Sequence, residues 1–144
     1  MVANTSPIYT LKPDNTTDNG TTMPQVITAA AADYTGISAN YRLSHTAGAD
    51  GSYAKTIICK AAGTNVAAVA RVFLNNGLTP GTAANNAFFA EISLPATTAS
   101  TTAGTVEMEI PIEHAIKGTH RIYIGLGAAV AAGWVFTVVA GQYS

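Results

Sequence analysis

From residue 25 onward, short apolar runs are separated by turn residues, and within the runs apolar and polar positions exchange every second residue. That period belongs to β-strands, whose successive side chains point to opposite faces. In 105–113, Val106, Met108, Ile110 and Ile112 fall on one side, with Glu107 and Glu109 on the other. In 87–94, Phe88, Ala90, Ile92 and Leu94 alternate with Phe89, Glu91 and Ser93, and in 120–126 Ile122, Ile124 and Leu126 oppose Arg121 and Tyr123. The segment 65–74 sets Val66, Ala68, Ala70, Val72 and Leu74 against Ala67, Val69, Arg71 and Phe73, so it is apolar on both sides except at Arg71. Such a strand is central in its sheet, or turns its second face to another chain. The runs 25–30, 40–46, 53–61 and 132–140 complete a set of about eight strands.

Turn chemistry fills the gaps. Gly48, Asp50 and Gly51, then Gly63 and Thr64, Asn76 with Gly77, Pro80 and Gly81, residues 95–104, and Lys117 with Gly118 read as hairpin turns, because Asn-Gly and Asp-Gly pairs accept positive φ. Residues 96–102, all Ala, Thr and Ser, read as an exposed loop. No segment keeps a helical period; 29–32 and 85–87 have room for one turn each. The expected fold is all-β, an antiparallel β-sandwich, with jelly-roll and immunoglobulin-like strand orders both open. Residues 1–23 differ: Pro7, Pro13, Asp14, Asn15, Asp18, Asn19 and Gly20 surround a brief apolar stretch at Ile8, Tyr9 and Leu11. That composition resists helix and central strand alike. It predicts an extended N-terminal arm over 1–23, lying against a partner, ahead of a β-sandwich domain over 24–144.

Composition changes the picture in one respect. Charged residues are 10% of the 144, against roughly 25% in ordinary soluble domains. Short neutral side chains, Thr, Asn, Ser and Ala, cover the surface instead, and these lose little entropy when a second chain buries them. An assembly subunit is the expectation. With 7 Lys plus Arg against 8 Asp plus Glu and a net charge of -1, there is no cationic footprint for nucleic acid. The single Cys59 excludes an intrachain disulfide and sits in an apolar strand, where it behaves as a small hydrophobe. Residues 1–22 have neither the basic nor the apolar region of a secretory signal, so the sequons at Asn4, Asn15 and Asn19 are expected to stay unmodified.

Several features imitate chemistry. The uncharged run 122–141 is long enough to cross a bilayer, but its glycines and alternation favour a buried hairpin between strands 119–126 and 132–140. Gly125 and Gly127 mimic the opening of a dinucleotide fingerprint, yet Val130 stands where its third glycine belongs and too little chain follows. These glycines are expected to allow close approach at a bend or a subunit contact. Glu113, His114 and His120 lack the spacing of a metal site, and Asp50 lacks the further acids of a calcium loop. A serine with His45 or His114 and Asp33 has no nucleophile elbow to present it. No catalytic residue, cofactor or metal is expected.

The stretch from about Ile27 to Tyr143 resembles small structural proteins of tailed-bacteriophage virions. The residues that carry the likeness are Ala31-Ala32-Asp33-Tyr34-Thr35-Gly36, Gly63-Thr64-Asn65-Val66-Ala67, Asn85-Asn86-Ala87-Phe88-Phe89-Ala90-Glu91, Leu94-Pro95-Ala96-Thr97-Thr98, and Tyr123 to Gly127 with Gly133-Trp134. The resemblance implies a β-sandwich, jelly-roll-like subunit that coats a capsid or forms part of the tail. A capsid decoration or cement protein is the first expectation, with a tail, fibre or baseplate component, or a host-surface or carbohydrate-binding module using Tyr34, Tyr41 and Tyr53, as alternatives. The expected partners are further copies of the chain, as a homotrimer, and the major capsid protein or another virion protein, with no nucleic acid and no membrane. Assembly would take place in the host cytoplasm and end on the virion. The residues expected to make assembly contacts are Ile8, Tyr9 and Leu11 in the arm, and Arg71, Phe73 and Phe89 on the second faces of their strands.

Overall fold

Every expected apolar run forms a strand in the computed structural model, which describes residues 12–14 and 26–143. The strands are β1 (Lys12–Asp14), β2 (Val26–Ile27), β3 (Arg42–Thr46), β4 (Ser52–Ala61), β5 (Ala68–Asn75), β6 (Asn86–Leu94), β7 (Glu107–Ile116), β8 (Arg121–Leu126) and β9 (Trp134–Gln142). One sheet, here sheet A, has the order β1-β9-β4-β7, with β2 also on β9; sheet B has the order β3-β8-β5-β6. The antiparallel partners nest: β2 with β9, β3 with β8, β4 with β7 and β5 with β6. This nesting is the two-Greek-key arrangement of a jelly roll, which settles the strand order that the sequence pattern leaves open.

The nesting also corrects the reading of the turns. Only β5 and β6 are joined as a hairpin; β3–β4, β4–β5, β6–β7, β7–β8 and β8–β9 each pass from one sheet to the other. The run 122–141 is therefore an arch between sheets, with β8 and β9 on opposite sides of the core. No helix among the described residues is long and apolar enough to cross a membrane. Tight-turn glycines serve such arches as well as hairpins, since both need a reversal within few residues. Gly51 and Gly133, at arches, and Gly77, in the hairpin, all have positive φ. At Gly77 (φ 89) a Cβ would stand 2.8 Å from the Thr119 carbonyl oxygen. Gly77→Ala should lower stability by about 1–2 kcal/mol, read as a shift in the urea midpoint at constant slope; an unchanged midpoint would contradict the turn geometry.

The core lies between the sheets. Ile57, Cys59, Val72, Ile122, Ile124, Leu126, Trp134 and Val138 are its most enclosed members, and burial pushes the Cys59 thiol up to about 12, as an inert core cysteine requires. Inward alternation holds for β5 and β8. Two positions depart from it. Val106 is 39% exposed because β7 begins one residue later. In β6 the register shifts so that Val72 faces Ala90 while Phe73 faces Phe88. This bulge exchanges the two phenylalanines: Phe89 turns inward against the core and Phe88 stands on the outer face.

A buried asparagine that the sequence pattern does not mark ties one end of the sandwich together. Asn65, 4% exposed, accepts on its side-chain oxygen from the amides of Ala132 (2.9 Å) and Gly133 (2.8 Å), and donates to the Gly133 carbonyl (2.9 Å). Its backbone pairs with Thr97, whose hydroxyl donates to the Gly63 carbonyl at 2.6 Å. Thr97 is thus buried inside a segment that composition alone presents as an exposed loop.

The N-terminal arm is described only at Lys12–Asp14. Its Lys12–Asp14 portion pairs with Gln142–Ala140 of the same chain, and Pro13 is tolerated because this is an edge of sheet A. Ile8, Tyr9 and Leu11 lie outside the described residues.

Candidate functional site

Assembly contacts require exposed surface, and the two outer sheet faces differ sharply in what they offer. On sheet B, Arg71, Phe73 and Tyr123 point away from the core, so the chain covers them with its own segment 30–41. Ala31 donates its amide to the Leu126 carbonyl at 2.6 Å. Tyr41 lays its ring edge-on against Phe73, with centroids 4.9 Å apart, and donates its hydroxyl to the carbonyls of Ala31 (3.0 Å) and Asp33 (2.5 Å). Burial, with the Asp33 charge beside it, pushes the Tyr41 phenol up to about 12. Ala31, Tyr41, Phe73 and Tyr123 form a second small core.

Arg71 locks this cover down. Its Nε donates to Glu91 Oε1 at 2.9 Å, Nη1 to the Ala32 carbonyl at 3.0 Å and Nη2 to the Tyr34 hydroxyl at 2.8 Å. Its guanidinium carbon lies 3.9 Å from the Tyr34 ring centroid. Glycines make the room: a Cβ at Gly125 would overlap the Tyr41 ring, and one at Gly127 would stand 3.2 Å from an Arg71 nitrogen. The apparent nucleotide-binding glycines are thus the floor beneath a tyrosine and an arginine of the same chain. Asp33 shapes the tip of the cover by accepting from the amides of Thr35, Ile37 and Ser38. Burial pushes its carboxyl up, but the hydrogen bonds from Thr35, Ile37 and Gly36 outweigh that and hold it below its ordinary value.

Arg71 and Phe73 are therefore intrachain residues, 8% and 1% exposed, and the expectation that they meet another subunit is corrected. The second face of β5 is apolar because residues 30–41 cover it. Phe89 faces the core, 6.0 Å from the His114 ring between centroids. What sheet B leaves at the surface is the rim of the cover: Tyr34 (57%), Ile37 (46%) and Phe88 (46%).

Sheet A has no comparable cover among the described residues. Its outer face carries Val26, Val135, Thr137 and Val139 along β2 and β9, with Ile58 and Lys60 on β4 and Glu107 and Glu109 on β7. Val26 is 51% and Val139 38% exposed, and an ion pair between Lys60 and Glu107, at 3.8 Å, lies at the margin. The stripe along β2 and β9 is β-branched and uncharged, with the charged residues of this face on β4 and β7.

At one end of this face two irregularities meet. Lys55 is an extra residue in β4 opposite β9, and β7 bulges beside it, with Glu113 at φ 47. Tyr53 donates its hydroxyl to Glu113 Oε2 at 2.5 Å, and this bond, more than burial, raises the phenol above its ordinary value. Tyr53, Lys55, Val139, Ala140 and Gly141 line a depression of about 190 Å³ there.

The hydrolytic and metal arrangements considered from the sequence come apart. His45 Nε2 does meet a serine, Ser52 Oγ at 2.6 Å, but the two are 1% and 0% exposed, out of reach of any substrate, and Asp33 is engaged in its own loop. No group of three or more His, Cys, Asp or Glu among the described residues is placed to hold a metal ion. No protein family, curated protein or solved structure matches the chain.

Proposed function

We propose that this chain is a structural subunit of a tailed-bacteriophage virion, a decoration or cement protein that binds the head shell as a homo-oligomer and stabilises it. The observation that carries the reading is the outer face of sheet A, where no described segment lies across Val26, Ile58, Val135, Thr137 and Val139 and where Val26 and Val139 are exposed. A β-branched stripe along β2 and β9, with its charges set aside on β4 and β7, can be buried without large ion desolvation, which suits many weak contacts repeated over a lattice. A trimer at a three-fold position of the shell is the closed form that suits this role.

Val135→Glu places a charge in the middle of the stripe, at a position that does not enter the core. The expected result is an unchanged unfolding midpoint and at least tenfold weaker loading onto purified undecorated particles, since about 1.4 kcal/mol per contact already gives tenfold. Equal loading of variant and parent would reject this face as the shell contact. A tail, fibre or baseplate position is the alternative, and electron microscopy separates the two by copy number: coverage of the whole head lattice against a few copies at one vertex or along the tail.

A further inference from the structure

We infer that β6 is the strand through which two copies of this chain join, edge to edge across a two-fold axis, so that sheet B of one copy continues into sheet B of the other. Neither sheet closes on itself, and an open edge presents backbone donors and acceptors that invite a further strand. Three of the four edges among the described residues are guarded. At β9, β1 and β2 occupy the two ends. β7 carries Pro111, which has no N–H to offer, together with Glu107, Glu109 and the left-handed Glu113. β3 is five residues long and interrupted by a bulge. β6, by contrast, has nine residues, no proline and no lysine, and pairs with β5 alone. Its one charge, Glu91, is already matched by Arg71.

Register chooses a second copy as the occupant. In the ladder with β5, Asn86, Phe88, Glu91 and Ser93 of β6 lie on the cover side, and Ala87, Phe89, Ala90 and Ile92 lie on the core side. Residues directly opposite in an antiparallel pair share a face, so an unbroken strand can meet its own copy only about an axis through a single residue. The bulge at Phe89–Ala90 shifts that parity by one. An axis between these two sets Phe89 against the partner's Ala90, Phe88 against the partner's Glu91, Ala87 against the partner's Ile92 and Asn86 against the partner's Ser93. Every such pair lies on one face, bulge opposes bulge, and no two carboxylates meet. A regular strand from another protein would have its faces exchanged halfway along β6.

The rim of the cover adds the area. Asn86 donates from its side-chain amide to the carbonyls of Thr35 and Gly36, both at 3.2 Å, which sets the tip of the cover beside the start of β6. Tyr34 packs edge-on against Phe88, with centroids 5.5 Å apart, and donates its hydroxyl to Glu91 at 3.2 Å. With Phe88 opposite the partner's Glu91, the two Tyr34–Phe88 pairs come together over the axis. Tyr34, Ile37 and Phe88 are 57%, 46% and 46% exposed, and with the edge backbone they give about 1,000 Å² over two copies, the least that a specific contact needs. The contact is isologous and closes by itself. It goes beyond the virion reading and uses none of the shell face; a three-fold contact elsewhere on the chain would make the dimer a hexamer.

The test is sedimentation velocity and amide hydrogen exchange on the full chain, each at low and at high micromolar concentration. The expected result is an even-numbered species at high concentration, dimer or hexamer, with protection of amides in 87–93 that rises with concentration. Phe88→Lys should weaken association at least tenfold. Because Phe88 also packs on Phe73, Ser93→Lys is the second variant: it places on the exposed edge the residue that guards natural edges, and should weaken association severalfold with an unchanged unfolding midpoint. Val135→Glu should pair like the parent, so that failure of shell loading and failure of pairing are read separately. A monomer or a trimer at high concentration would overturn the inference. So would protection of 87–93 that does not change with concentration, as pairing with residues 1–11 of the same chain would give, or association of both lysine variants equal to that of the parent.

Discussion

Arg71→Ala should lower the unfolding free energy by about 3 kcal/mol, the low end of the range for removing one partner of a buried ion pair. The low end applies because the Glu91 side chain is one-third exposed (33%) while that of Arg71 is 9%, so water can take up part of the stranded charge. The loss has three sources. Glu91 is left without its cation, the Ala32 carbonyl and the Tyr34 hydroxyl lose the donor that ties the cover to β5, and the Tyr34 ring loses its stacked guanidinium. Lysine should not restore it, because a single ammonium cannot reach Glu91, Ala32 and Tyr34 from one plane as the guanidinium does. Urea unfolding at neutral pH measures the effect. A loss below about 1 kcal/mol, within the range of an exposed pair, would mean that the cover of sheet B is held by its apolar contacts alone.

Gly125→Val acts on the same cover from beneath and should cost about 2–3 kcal/mol. The new side chain overlaps the Tyr41 ring and crowds the Ala31 methyl, and neither can retreat while Tyr41 is bonded to Ala31 and packed on Phe73. The inner face of β8 is untouched, so the sandwich should survive while residues 30–41 lift. The expected signs are faster amide exchange at Ala31 and Tyr41, new dye-binding apolar surface and a largely unaltered far-ultraviolet spectrum. In combination with Arg71→Ala the losses should fall short of the sum, since a cover already displaced has no arginine contacts left to lose. Full additivity would show that Arg71 and Gly125 serve independent elements.

Much of the fold was legible because strand alternation is a local property. Ile122, Ile124 and Leu126 are buried for the reason that their spacing suggests, and the boundaries of β4 through β9 fall close to the apolar runs. Sheet membership was not legible: Gly51 and Gly133 mark a reversal of the chain, and nothing in a glycine distinguishes a hairpin from an arch. The bulge at Phe88–Phe89 was hidden too, since two adjacent phenylalanines satisfy either parity and the decision is made by β5 across the ladder. Arg71 and Phe73 were correctly placed on a second, non-core face. Their partner was misassigned because residues 30–41, rich in alanine and lacking a strand period, give no sign of lying across a sheet. The depression between Tyr53 and 139–141 depends on the extra residue, Lys55, that shifts the register of β4 against β9, which a sequence does not display.

The nested pairing has a kinetic corollary. The β5–β6 hairpin can close as soon as it is made, but β4 must wait for β7, β3 for β8, and Val26 for Val135, almost the whole length of the chain away. Each outer layer closes a longer loop than the one inside it, so assembly proceeds from the middle of the chain outward, slowly for a molecule of this size. A ribosome still holding 134–142 would hold the jelly roll open, with the strands destined for sheet A waiting for β9 to arrive.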